Sequence, residues 1–198
     1  MEMTSYPPGT PSWVDLGTPD LDAAAAAIEA AGGMLMVPPM DVMDVGRMAV
    51  AADPAGALFS VWEPRNHPGA ALVNEPGTLC WNELTTRQPQ ESITFYGSVF
   101  GWTASTTTTD PMPYTEFQLD GRGIGGMMVM DGDMWPPEIP NHWMVYFAVA
   151  DVDATAARCV ELGGAAPVPP TDIPPGRFAV LNDPAGAVFS VIQFAQPI

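Results

Sequence analysis

Positive charge is what this sequence has least of: 6 basic residues stand against 23 acidic ones, for a formal net charge of −17. Nucleic acids and anionic membrane surfaces are held by clustered Lys and Arg, so neither is expected as a partner. No apolar run approaches the roughly 18 to 20 residues of a bilayer span. The opening Met1-Glu2-Met3-Thr4-Ser5-Tyr6-Pro7-Pro8 holds neither a basic stretch nor an apolar core, so no secretory signal is expected. Cysteine is scarce too. Cys80 and Cys159 stand far apart without a CxxC pattern and read as two core thiols in a reducing, cytoplasmic setting. Only two histidines occur, His67 and His142. No nucleophile elbow, Gly-rich phosphate loop or Ser-His-Asp order is present.

What is there suffices for a folded core, since 47% of the 198 residues are hydrophobic and only 15% charged. The most informative feature is a repeat. Leu21-Asp22-Ala23, Gly32-Gly33 and Val37-Pro38-Pro39 return as Val152-Asp153-Ala154, Gly163-Gly164 and Val168-Pro169-Pro170 at a constant offset of 131 residues. After a one-residue change in offset, Asp53-Pro54-Ala55-Gly56-Ala57 returns as Asp183-Pro184-Ala185-Gly186-Ala187. A self-match of this kind marks one structural unit written more than once.

The unit has a local grammar. A strand rich in aromatic and β-branched residues (Trp13 to Gly17, Met144 to Val149) leads to an Asp that offers a helix N-cap, Asp20 or Asp22 and Asp151 or Asp153. An Ala-rich helix follows, stopped by the paired glycines. A Pro-containing strand or loop comes next, then strands at Met48 to Ala52 or Phe178 to Asn182. The Asp-Pro-Ala-Gly turn leads into the last strand, Ala57 to Trp62 or Ala187 to Phe194. A divergent middle copy has strands at Thr78 to Thr85, Tyr114 to Leu119 and Ile124 to Met130, and a helix at Glu91 to Phe100. Pro64 to Gly77 and Pro136 to Pro140 read as linkers. The fold class is α+β, with three βαβββ copies.

Paired βαβββ units, the helix words Ile93-Thr94-Phe95-Tyr96 and Phe100-Gly101-Trp102, and the terminal Asp-Pro-x-Gly hairpin resemble the vicinal-oxygen-chelate superfamily of glyoxalases, bleomycin-resistance proteins and extradiol dioxygenases. Trp81-Asn82-Glu83-Leu84, Pro140-Asn141-His142-Trp143 and Gly176-Arg177-Phe178-Ala179-Val180 are similar to its two-domain, actinobacterial glyoxalase-like branch, including members labelled hydroxylases. The resemblance implies curved mixed sheets and four units where this chain has three. One unit is therefore missing. Residues 78–198 are expected to form a complete two-unit domain (78–135 and 140–194), with 64–77 a linker and 10–63 an orphan half. An orphan half exposes an apolar sheet face and a strand edge, so a homodimer through it is expected.

The resemblance also implies metal ligands on the first and last strands of the units. The residues carried onto those positions are Trp13, Trp81 and Met144, and Ser60 and Ser190, while the strand Ile124 to Val129 holds no carboxylate. A divalent cation needs three or four close N, O or S donors, so no metal and no cofactor is expected. Glu83 shares strand parity with Trp81 and Thr85. It can act as a general base, anchor a ligand's hydroxyl or amine, or pair with an arginine. Tyr146 shares parity with Met144 and can donate a hydrogen bond. The repeated Arg47 and Arg177 read as structural, and His142 as a capping or packing residue. The expected pocket comprises Trp81, Glu83, Thr85, Trp102, Met127, Met128, Met144, Tyr146 and Ser190, with Trp135 beside them. Aromatics and methionines suit a flat or hydrophobic small molecule. The first reading is a metal-independent binding protein with a sequestration or carrier role. The alternative is a metal-independent lyase, isomerase or cyclase using Glu83 and Tyr146, and a third is a purely structural or interaction role.

Overall fold

Asp20 and Asp151 each accept a hydrogen bond at 2.9 Å from the backbone N–H three residues on, of Ala23 and Ala154. They thereby cap helices α1 (Leu21–Ala30) and α3 (Val152–Glu161). A second cap comes from the far end of each copy: Glu63 accepts from the Leu21 N–H, as Gln193 does from the Val152 N–H. Both helices stop at left-handed glycines, Gly32 and Gly163. The next residues close the turn, with Gly33 N–H donating to the Ile28 carbonyl and Gly164 N–H to the Cys159 carbonyl.

This computed structural model describes residues 2–6, 14–108, 113–132 and 135–196, and Trp13 lies outside them. Among the described residues are three helices and 12 strands, in mixed sheets of an α+β fold. The first copy has β1 (Leu16–Gly17), α1, β2 (Met34–Val42), β3 (Gly46–Ala52) and β4 (Leu58–Pro64). The second has β5 (Leu79–Thr86), α2 (Pro89–Phe100), β6 (Thr103–Thr107), β7 (Tyr114–Leu119) and β8 (Arg122–Val129). The third has β9 (His142–Ala148), α3, β10 (Ala165–Ile173), β11 (Gly176–Asn182) and β12 (Val188–Phe194). The Pro-Pro segments are strands rather than loops. Their register slips on both sides of Val37 and of Val168, and the prolines within them (Pro38, Pro39, Pro167, Pro169 and Pro170) cannot donate to the ladder. In every copy the first strand runs parallel to the last and the other pairs are antiparallel. No helix of the described residues is long and apolar enough to cross a membrane.

Packing divides the chain into two compact units. One comprises Met1–Met3, Ala71–Trp81 and Met144–Ile198. Its strands lie in the order β10-β11-β12-β9, with the start of β5 beside β9, where the Cys80 thiol donates to the Tyr146 carbonyl. Helix α3 buries Val152 and Ala156 against Ala179, Leu181 and Val191. The other unit comprises Thr4–Ala70 and Asn82–Trp143, with sheets ordered β1-β4-β3-β2 and β5-β8-β7-β6. One core fills it: Leu21, Ile28 and Val61 of the first copy cluster with Leu84, Phe95, Tyr96, Trp102 and Phe117 of the second. This grouping differs from the expected division of 10–63 from 78–198. The Ala-rich α1 is slim enough for α2 to pack beside it, and Phe59 of β4 meets Phe95, Tyr96 and Phe100 at ring-centroid distances of 6.0, 5.7 and 6.1 Å. The first copy thus shares its helix-side core within the chain.

Candidate functional site

The parallel pairing of first and last strands puts one position in the same place three times. Leu16 pairs with Val61, Leu84 with Met127 and Phe147 with Val191. The residues just before them, Asp15, Glu83 and Tyr146, are therefore equivalent, and they lie opposite Ser60, Gly126 and Ser190. Since Val61, Met127 and Val191 are core residues on the helix side, their neighbours turn to the opposite face of the sheet.

In the unit of the third copy, that face carries Met144, Tyr146 and Ser190, with Trp81 at the start of β5. Tyr146 is buried and Ser190 is wholly so. The Ser190 Oγ has no hydrogen-bond partner among the described residues. An unpaired buried hydroxyl costs about 1–3 kcal/mol, which a hydrogen bond to a bound water or ligand group would offset. Burial pushes the neighbouring Cys80 thiol up to about 12, which removes it as a nucleophile near neutral pH.

In the other unit, Glu83 and Thr85 are buried on the corresponding face, with Gly126 and Met128 as their register partners on β8. Trp102 and Met127 do not share that face. Both belong to the core on the α2 side, where Trp102 stacks on Tyr96 with ring centroids 5.2 Å apart. Of the expected pocket residues, Trp81, Met144, Tyr146 and Ser190 belong to one compact unit, and Glu83, Thr85, Met128, Trp102 and Met127 to the other.

Two features escaped sequence reasoning. One is Asp15, whose carboxyl takes a hydrogen bond from Ser60 and is pushed above the usual carboxylate range by burial. The parallel between Trp13-Val14-Asp15-Leu16 and Trp81-Asn82-Glu83-Leu84 was the signal that could have found it. The other is a buried chain of hydrogen bonds. Trp143 Nε1 donates to the Tyr96 hydroxyl at 2.8 Å, and Tyr96 donates to Asp53 Oδ2 at 3.2 Å. Burial holds the Tyr96 hydroxyl well above its ordinary pKa, so it remains protonated and serves as the donor.

The remaining candidates have structural partners. Arg47 donates to Asp22 and Glu63, and Arg177 to Asp153 and Asp172; the bonds to Asp22 and Asp153 tie the third strand of the first and third copies to the start of that copy's helix. The His142 ring is hydrogen-bonded to the Pro140 carbonyl. Trp135 Nε1 is buried without a partner among the described residues. For a metal the donor set does not fit. Among the described residues no group of three or more His, Cys, Asp and Glu side chains is placed to hold an ion. The equivalent positions pair Asp with Ser, Glu with Gly and Tyr with Ser.

Comparison with known proteins adds a family context. Residues 78–191 match the model of the Glyoxalase/Bleomycin resistance protein/Dioxygenase superfamily, more than half of the chain. CFP32 of Mycobacterium tuberculosis, a presumed glyoxylase by name, is 42% identical over 195 residues, covering 94% of this chain and 73% of CFP32. The anthracycline biosynthesis protein DnrV of Streptomyces peucetius is 40% identical over 189 residues, covering 92% of this chain and 66% of DnrV. The chain therefore spans about two thirds to three quarters of these relatives. Among solved structures, the Mn(II)-bound glyoxalase from Novosphingobium aromaticivorans superposes with a TM-score of 0.63 at 18% identity, covering 96% of this chain and 64% of that one. The 2,2',3-trihydroxybiphenyl 1,2-dioxygenase from Sphingomonas wittichii gives a TM-score of 0.59 at 16% identity, covering 93% of this chain and 71% of that one. At such identities the likeness is one of fold.

Proposed function

The chain belongs to the glyoxalase/bleomycin resistance protein/dioxygenase superfamily, and we propose that it binds a hydrophobic, ring-containing small molecule on the β9–β12 face without a resident metal. The observation that carries this reading is the wholly buried Ser190 hydroxyl, without a partner among the described residues, on a face that also bears Tyr146 and Met144. Apolar surface with one or two polar groups that fix orientation is the usual make-up of a small-molecule site. The naming of DnrV as an anthracycline biosynthesis protein supports the choice of ligand class, since anthracyclines are flat fused-ring aromatics. The role is sequestration or carriage of the ligand. A cytoplasmic setting is part of the reading, supported by the two free thiols. So is a second copy of the chain as partner, at the sheet face of β1–β4.

Fluorescence titration with a panel of neutral planar aromatics, headed by 1,8-dihydroxyanthraquinone, tests the reading. Saturable binding is expected, unchanged by EDTA and weakened by Ser190→Ala about 2- to 10-fold, the worth of one neutral hydrogen bond. No saturable binding across the panel, or binding abolished by the chelator, overturns it.

A second reading, a metal-independent lyase, isomerase or cyclase using Glu83 and Tyr146, is favoured by one observation: Glu83 is a carboxylate kept almost wholly from solvent. Glu83→Gln separates the two. A binder keeps its affinity for the aromatic probe, whereas an enzyme loses turnover of a substrate that the wild type converts.

A further inference from the structure

We propose that the unit built from the first and second copies holds a separate site for an organic ammonium group, the protonated amine of a small molecule, in a cavity whose acid is Asp15. The cavity measures about 60 Å³, and as roughly 10–15 Å³ of such space admits one water, it has room for a few water-sized groups. An amine head on a short alkyl stem fits that space. The cavity lies at the β1 edge of the sheet, where residues of both faces line it: Tyr96, Trp102 and Trp143 supply aromatic wall, and Asp15, Ser60 and Asn82 are the polar residues.

Three observations select the chemistry. First, the polar atoms of two wall residues are spent elsewhere: Trp143 donates to Tyr96, and Tyr96 donates to Asp53. Those residues therefore offer carbon and π surface, to which a cation is drawn by the ring quadrupole. Second, Asp15 takes a hydrogen bond from Ser60 and, among the described residues, has no arginine acting on it. Arg47 is held by Asp22, Asp41 and Glu63, Arg65 by Asp41, and Arg87 by the carbonyls of Pro136 and Ile139. A carboxylate in such surroundings gains most from an incoming cation, and an ammonium brings both charge and donors. Third, the cavity is edged by Val14 and Leu58, which are 54% and 55% exposed and so provide an apolar path for an alkyl stem. An anion would meet Asp15 and a chain of net charge −17.

The distinguishing experiment titrates the full chain with n-butylammonium chloride, and separately with 1-butanol, a neutral compound of like size. Binding is followed by the indole N–H NMR signals of Trp102 and Trp143. The ammonium should shift both signals saturably, with at least tenfold higher affinity than the alcohol. Asp15→Asn should cut that affinity at least fivefold while leaving the free protein's indole spectrum in place. Leu58→Trp, at an exposed position, should block the mouth and abolish the shifts without touching the acid, and Ser190→Ala should change nothing. Equal affinity for the alcohol would mean an apolar cavity only. Absent saturation would mean one that holds water only, and full affinity in Asp15→Asn would remove the acid's role. Each of these overturns the proposal.

Discussion

Asp53 shows how one side chain serves two parts of the molecule. Its carboxylate accepts the Ala57 N–H at 2.8 Å, closing the Asp-Pro-Ala-Gly turn, as Asp183 accepts the Ala187 N–H in the third copy. Only Asp53 also receives a tyrosine hydroxyl, because α2 delivers Tyr96 to it. Burial raises its pKa above the ordinary carboxylate value, so folding favours the protonated form. The stabilisation from this group is complete below the unfolded value of about 4 and is lost as pH rises through the folded pKa. Asp22 and Asp153 act in the opposite sense: hydrogen bonds from Arg47 and Arg177 lower their pKa values, so their contribution is present above the unfolded value and lost as pH falls. Both lie at the exposed surface, where salt screens them. Asp53→Asn should therefore gain stability relative to wild type as pH goes from 4 to 7, measured as the difference in urea midpoints. An unchanged difference at the two pH values would refute it. The turn was legible in the repeat. The link to Tyr96 was not, since it joins residues 43 positions apart on different copies.

At the scale of elements, the paired glycines illustrate two different demands. Gly163 sits at φ +91 with nothing within 4 Å of an added Cβ, so it answers to backbone conformation alone. Gly164 answers to space: an added Cβ would meet the Asn182 carbonyl oxygen and the Cys159 sulfur, where the helix end crosses β11. Gly164→Ala should destabilise by about 1–3 kcal/mol through overpacking. Gly163→Ala should cost about 1–2 kcal/mol through left-handed strain. Urea denaturation of each variant decides, and a neutral Gly164→Ala would show that the neighbouring strand yields freely. Helix ends and strand order were readable because capping and turn chemistry are local. Which side of β8 each methionine takes was not: adjacent Met127 and Met128 must point oppositely, and only pairing with Leu84 and Thr85 assigns Met127 to the core.

For the whole molecule, the question is how three copies satisfy apolar faces that suit an even number. The first copy's helix side is covered by α2 within the chain, yet Met34 and Met36 of β2 stay exposed at 63% and 54%. Among the described residues, strand β1, at the edge of that sheet, has only β4 as a neighbour. Pairing of two chains over this sheet is the corresponding expectation. Light scattering at micromolar concentration should give twice the 21.0 kDa chain mass, and Met34→Asp should shift the result toward one chain. A clean monomer in the wild type excludes the pairing.

By itself the sequence determined the βαβββ grammar, its threefold writing, the α+β class and the want of metal-ligating residue types at the positions the resemblance assigns. Those features rest on local rules: caps, glycine stops, strand alternation and residue chemistry. Only the tertiary structure decided that the first and second copies share a core, that Trp102 and Met127 belong to it, and that Asp15 stands beside an aromatic cavity. Such facts depend on which apolar faces meet across long stretches of chain, and a sequence pattern marks a face as apolar without saying what covers it.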